Sequence, residues 1–165
     1  MNYNKIFITF FGTGLSPQAP GTVGSFAGLI MGLVILEFLP MQTLFMLTLV
    51  ITIIGIFEIN KYEKATNTHD DKSIVIDEVA GVWIAMIFAL SVVKTMNYPY
   101  ANEIAIGLSF ATFRLFDIWK PSTIGVIDRK VQGGLGVMGD DILAGIAGGL
   151  LSIVILMGLD RVFML

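Results

Sequence analysis

The sequence predicts an all-α, polytopic integral membrane helical bundle of about five spans with a re-entrant or amphipathic N-terminal segment. Three observations predict it. Apolar side chains make up 55% of the 165 residues and charged ones only 14%, against about 25% charged in an ordinary soluble domain. The mean hydropathy of +0.82 leaves too little polar surface to cover a water-facing body. The apolar residues also gather into stretches close to the roughly 20 residues with which a helix crosses about 30 Å of hydrocarbon.

Five such stretches run in order from Thr22 to Leu39, Met41 to Phe57, Val79 to Thr95, Tyr100 to Trp119 and Ile142 to Leu159. Pro40 and Pro99 separate neighbouring spans, and Pro17, Pro20 and Pro121 mark loops before the first span and after the fourth. The fourth carries Arg114 and Asp117, which are costly in lipid unless they lie at the interface or face a polar interior, so it reads either as a full span or as a partly inserted or interfacial helix. Ahead of the first span, Lys5 and the apolar run Ile6 to Phe11 resemble a signal peptide weakly; the Gly- and Pro-rich residues that follow make a poor cleavage region, so this segment is read as retained. No internal repeat or linker interrupts the chain, and residues 1–165 read as a single membrane-embedded domain.

With five spans, alternate loops share a side. One set holds Lys5, Lys61, Lys64, Lys72, Arg114, Lys120, Arg129 and Lys130, eight of the 10 basic residues; the other holds Lys94 and Arg161. Basic residues near span ends stay in the cytoplasm, which predicts a cytoplasmic N-terminus. The same topology brings three motif-dense segments to the cytoplasmic face: Phe11 to Ser25, His69 to Glu78, and Arg114 to Asp141. Loops that only connect helices need neither so much Gly and Pro nor so many acids.

Eight of the 13 carboxylates fall in those segments, including the adjacent pairs Asp77-Glu78 and Asp140-Asp141, each just before an apolar span. Each pair reads either as a helix cap or as part of a cation site. Together with Asp117 the two pairs make a cluster whose repulsion a cation would relieve. Oxygen donors, no cysteine and one histidine suit Mg²⁺. Arg114 and Asp117 share a helix face and Lys120 follows a turn later, either as an interfacial ion pair with a snorkelling lysine or as half of an anion clamp. Arg129 and Lys130 could equally attract anionic headgroups. The glycines of both Gly-rich segments permit positive φ and close backbone approach to a phosphate, although neither segment matches a P-loop or dinucleotide motif.

The strings GTGLSPQAPGTVGS, HD followed by SIVIDEVAG, FRLFDIWKP, and DRKVQGGLGVM with DDILAG resemble the phosphatidylglycerophosphatase A family, in that family's order and over a third to a half of the chain. The resemblance implies a Mg²⁺-dependent lipid phosphatase of the bacterial inner (cytoplasmic) membrane. Its site would lie on the cytoplasmic face and convert phosphatidylglycerophosphate to phosphatidylglycerol and phosphate in glycerophospholipid synthesis. It singles out Asp70, Asp77, Glu78, Asp117, Lys120 and Asp128 as catalytic, and Asp77, Glu78, Asp117, Asp140 and Asp141 as metal ligands. Arg114, Arg129, Thr22 and Ser25 are the candidate substrate-binding residues.

Other phosphatase designs are missing: the chain has no Cys-x5-Arg loop, no DxDxT motif and only one histidine. Membrane lipids and the lipid substrate are the expected partners, with no nucleic acid. The competing class is a small ion or solute transporter, which normally shows paired repeats and charge near the midplane, whereas here the charge crowds one interface.

Overall fold

The computed structural model describes residues 3–68, 71–121 and 123–163, except for the side chains of Asp128 and Arg129. Seven α-helices account for nearly all of it: α1 (Tyr3–Ile8), α2 (Pro20–Phe38), α3 (Met41–Thr66), α4 (Ile76–Ser91), α5 (Ala101–Trp119), α6 (Thr123–Lys130) and α7 (Gly134–Phe163). The described residues contain no strand.

The punctuation follows the chain chemistry. Pro20 opens α2 at a position where its missing N–H costs nothing, and Pro40 precedes α3. Helix α5 stops at Lys120, whose backbone takes a left-handed φ of 44°. The following Pro121 disfavours the right-handed helical region for that residue.

Four helices are long and apolar enough to cross a membrane: α2, α3, α4 with its 3₁₀ extension to Thr95, and α7. Helix α5 has 19 residues, but Glu103, Arg114 and Asp117 keep it from being apolar enough for that class. It nevertheless runs from one end of the bundle to the other. The loop before it is tied to the C-terminal end of α7 by the bond from the Asn97 N–H to Asp160, 2.7 Å, and its own last turn meets the N-terminal ends of α2 and α7.

Helix α7 contains the predicted span Ile142 to Leu159 but begins earlier; its 30 residues make it about 45 Å long, more than the hydrocarbon requires. Its first turns can therefore stand at headgroup depth. Large apolar side chains on the outer faces, such as Phe38 at 80% and Phe57 at 69% exposure, suit lipid rather than water.

The N-terminal segment is a short helix followed by a sharp reversal and does not cross the bundle. Phe10, Phe11 and Gly12 all take positive φ, and a 3₁₀ turn at Thr13–Leu15 follows. The carbonyl of Ile8 accepts the N–H of Val75 at 2.9 Å, pinning this segment to the start of α4.

The core lies along α4, which packs between α2, α5 and α7. On the α2 side, the indole N–H of Trp83 donates to the Gly28 carbonyl at 2.7 Å. On the α7 side, Gly81 and Gly145 face each other so closely that a Cβ on Gly145 would strike the Gly81 carbonyl, and one on Gly81 would stand 2.7 Å from the Asp141 carbonyl oxygen. Only glycine permits that crossing.

Gly145→Ala is expected to destabilise the folded protein by about 1–3 kcal/mol through overpacking. Gly107→Ala is the control. That glycine has nothing within 4 Å of the added Cβ, so the change should be neutral or should stabilise by up to about 1 kcal/mol. Thermal melting of both variants in detergent checks the difference.

Candidate active site

At one end of the bundle the first turns of α2, α4 and α7 and the last turn of α5 surround a cavity of about 290 Å³. Six of the residues singled out from the sequence line it: Asp77 and Glu78 from α4, Asp117 and Lys120 from the end of α5, and Asp140 and Asp141 from α7.

The two acidic pairs are placed differently. Asp77 and Glu78 lie in the first turn of α4, and the Asp77 carboxylate accepts the Glu78 N–H at 3.0 Å. That is local backbone satisfaction of the kind a cap provides. Asp140 and Asp141 stand two turns inside α7, where every backbone N–H already has a helical partner, so the capping alternative does not apply to them. The glycines ahead of them are helical too. Among those of the QGGLGVMG stretch, only Gly133 takes a positive φ, of 76°, just before α7 begins. The phosphate-cradling loop read there is the loop-to-helix junction alone.

The five carboxylates divide by partner. Arg114 binds the Asp117 carboxylate, and Lys120 Nζ lies 2.6 Å from Asp140 Oδ2. Asp77, Glu78 and Asp141 remain as a group, each offering an oxygen within 4.8 Å of the others. Asp77 and Asp141 are buried, and Glu78 Oε2 is a buried oxygen without a hydrogen-bond partner. Three carboxylates held this close repel one another, and a hard divalent cation relieves that repulsion while taking up the orphaned oxygen. The described residues therefore can hold a metal ion at this triad.

Arg114, Thr22 and Ser25 do not line the cavity. Arg114 Nη1 donates to Ser25 Oγ and Nη2 to Thr22 Oγ1, each at 3.2 Å, while Nη1 also serves Asp117. The guanidinium thus ties the end of α5 to the start of α2. Asp70 lies outside the described residues, as do the side chains of Asp128 and Arg129 on α6.

Several lining residues carried no catalytic signal in the sequence. Gly21 leaves room for the Glu78 carboxylate, which a Cβ would strike. Lys72 and Ile74 come from the loop before α4, and Val131, Gly136 and Val137 from the approach to α7 and its first turn. In the sequence Lys72 is one basic residue among the eight of the cytoplasmic set. Its loop is held by Asp71, whose carboxylate accepts the Ser73 N–H at 2.9 Å and the Tyr62 hydroxyl at 3.0 Å. The Ser73 N–H first, helped by hydrogen bonds from the Ser73 and Tyr62 side chains, keeps the Asp71 carboxyl below its ordinary pKa against the opposing effect of burial. The stabilisation this gives is present at neutral pH and is lost as pH falls through the lowered pKa.

Residues 6–156 match the family model for phosphatidylglycerophosphatase A. The chain belongs to the phosphatidylglycerophosphatase A family. It is 38% identical over 136 residues to the phosphatidylglycerophosphatase A of Escherichia coli K12, covering 82% of this chain and 73% of that one. Against the protein of the same name from Haemophilus influenzae the figures are 38%, 82% and 78%. It is also 39% identical over 145 residues to a Bacteroides thetaiotaomicron protein with a provisional phosphatidylinositol-3-phosphatase name, covering 84% of each chain. No solved structure matches the chain. Membership of the phosphatidylglycerophosphatase A family decides between phosphatase and transporter in favour of the phosphatase.

The Arg114–Asp117 pair can be tested apart from activity. Arg114→Met leaves a largely buried carboxylate without its cation and should cost about 3 kcal/mol of stability. Arg114→Met with Asp117→Leu should recover most of that loss. Melting of the single and double variants in one detergent supplies the cycle.

Proposed function

We propose that this protein is a Mg²⁺-dependent lipid phosphatase that hydrolyses the terminal phosphomonoester of phosphatidylglycerophosphate to phosphatidylglycerol and phosphate. The observation that carries this reading is the triad of Asp77, Glu78 and Asp141 in one cavity with Lys120, in a chain of this family. Oxygen-only donors and a site deep enough for a phosphate fit Mg²⁺.

Asp77, Glu78 and Asp141 would hold the ion, which when bound supplies positive charge against the phosphate oxygens and lowers the pKa of water. Asp117 and Asp140, each with its own cation, complete the acidic wall. Lys120 faces the cavity from the end of α5 and balances charge on the phosphate as the bond to the leaving oxygen lengthens. The bond between phosphorus and the glycerol oxygen breaks, phosphorus gains an oxygen from water in its place, directly or by way of an aspartyl phosphate, and the leaving oxygen gains a proton. A carboxylate of the cluster orients the water and takes its proton. Asp70 and Asp128 keep the catalytic role, and Arg129 the substrate-binding role, that the family resemblance assigns them. Arg114, with Thr22 and Ser25, acts in this reading by fixing Asp117 and the start of α2 beside the substrate.

The reaction would take place at the cytoplasmic face of the bacterial inner membrane, with the acyl chains remaining in lipid. The eight basic residues on the site side against two on the other support that orientation. Because the chain has no cysteine, single cysteines at Ser73 and Asn97 give a clean test. Ser73 should label only from the cytoplasmic side and Asn97 only from the periplasmic side in intact cells and inverted vesicles.

Chelation should abolish phosphate release from phosphatidylglycerophosphate, and Mg²⁺ should restore it; full turnover in excess EDTA after dialysis would refute the metal. Asp77→Asn and Asp141→Asn should each lower turnover about a hundredfold or more while melting close to wild type, with Asp160→Asn at the opposite end silent. Wild-type turnover in both variants would move the site elsewhere.

A further inference from the structure

Lys72 lines the cavity and is exposed, and it belongs neither to the acidic triad nor to the two ion pairs. Among the described residues it has no ion-pair partner, whereas Lys120 lies against Asp140. Its backbone is fixed: the turn from Asp71 to Ile74 is closed by the Ile74 N–H on the Asp71 carbonyl at 2.8 Å, and the Asp71 carboxylate holds the Ser73 N–H. The Ser73 carbonyl packs against Gly14, beside Phe11 and Leu15, which are 74% and 46% exposed. A lysine with no ion-pair partner among the described residues thus lines the cavity next to an apolar, lipid-suited flank.

The proposed substrate carries two phosphates, the terminal monoester and the phosphodiester that links its headgroup to the diacylglycerol. Two phosphorus atoms bridged by glycerol are about 7 Å apart when extended, and Lys72 lines the same cavity as the Asp77, Glu78 and Asp141 carboxylates. A monoester seated at buried Asp77 and Asp141 with Glu78 therefore leaves the diester to the exposed part of the lining, where Lys72 stands.

We propose that Lys72 binds the phosphodiester of the lipid and so makes the site prefer glycerophospholipids whose headgroup bears a second phosphate. This rests on the phosphatase reading and adds the group that recognises the unreacting half of the headgroup. A lysine is suited to it as a flexible point charge that can follow a headgroup without fixing its orientation.

The test compares Lys72→Met and Lys72→Arg with wild type on phosphatidylglycerophosphate and on phosphatidic acid, which has a monoester and no second phosphate. Lys72→Met should raise KM for phosphatidylglycerophosphate about tenfold, the loss of one charge-assisted contact, with kcat changed less than twofold and KM for phosphatidic acid unmoved. Lys72→Arg should restore KM to within about threefold of wild type. A titration with phosphatidylglycerol in neutral detergent needs no turnover, and binding should weaken about tenfold in Lys72→Met.

Equal shifts in KM for both substrates, no shift for phosphatidylglycerophosphate, or unchanged phosphatidylglycerol binding would overturn the proposal. If wild-type protein releases no phosphate from phosphatidylglycerophosphate, the phosphatase reading falls, and the phosphatidylglycerol titration still decides the role of Lys72.

Discussion

The close crossing of α4 and α7 at Gly81 and Gly145 is the constraint on which the site depends. Both helices begin at the cavity, so they leave it in the same direction. Asp77 and Glu78 lie one turn before Gly81, and Asp141 lies one turn before Gly145. Side chains on a helix tilt toward its N-terminus, so carboxylates one turn ahead of a crossing lean out past it and meet over the cavity. Ordinary helix packing separates axes by about 8–10 Å, and a pair of glycines brings the backbones nearer than that. The triad is close because the helices are.

Having set three acids together, the fold shields two more with cations drawn from a third helix. Arg114 reaches one turn forward along α5 to Asp117, and Lys120, just past the end of α5, reaches across to Asp140 on α7. This division gives five carboxylates in one small volume two different jobs. Two are committed to ion pairs, one within α5 and one that ties its end to α7, and three are left to share a cation. Buried ion pairs contribute little net stability, but a broken one is expensive, so the pairs fix geometry more than they stabilise it.

Much of this was legible in the sequence because hydrophobic length and charge placement are both strong signals. Hydropathy located four spans and a fifth helix, α5, whose charges keep it out of that class, and the alternation of basic loops grouped Asp77, Glu78, Asp117, Lys120, Asp140 and Asp141 at one end. What it did not resolve was the boundary of α7. The run of glycines from Gly133 to Gly139 reads as loop by propensity, and packing overrides propensity when a helix needs small residues to approach its neighbours. That one misplacement kept capping open as an explanation for Asp140 and Asp141, and the helix register closed it. The pairing of Arg114 with Thr22 and Ser25 was also invisible, since roughly ninety residues separate them and only the tertiary fold brings them together. Lys72 shows the opposite difficulty: one lysine in a polar loop carries no signal until a cavity gives it a location.

The bond between the Ile8 carbonyl and the Val75 N–H has a consequence for how the protein is made. The N-terminal segment leaves the ribosome first, but its partner is synthesised about 65 residues later, a wait of about 3 to 13 s at roughly 5–20 residues per second. During that interval α2 and α3 enter the bilayer while the segment's Ile8 and Phe10, buried in the finished protein, lack the start of α4 that completes their packing. An amphipathic stretch of this kind can rest in the interface until α4 arrives to receive it. Asp141 comes later still, on the last helix. The growing chain is therefore kept from gathering its three acids into one unshielded site until the final span that holds them in register is in place.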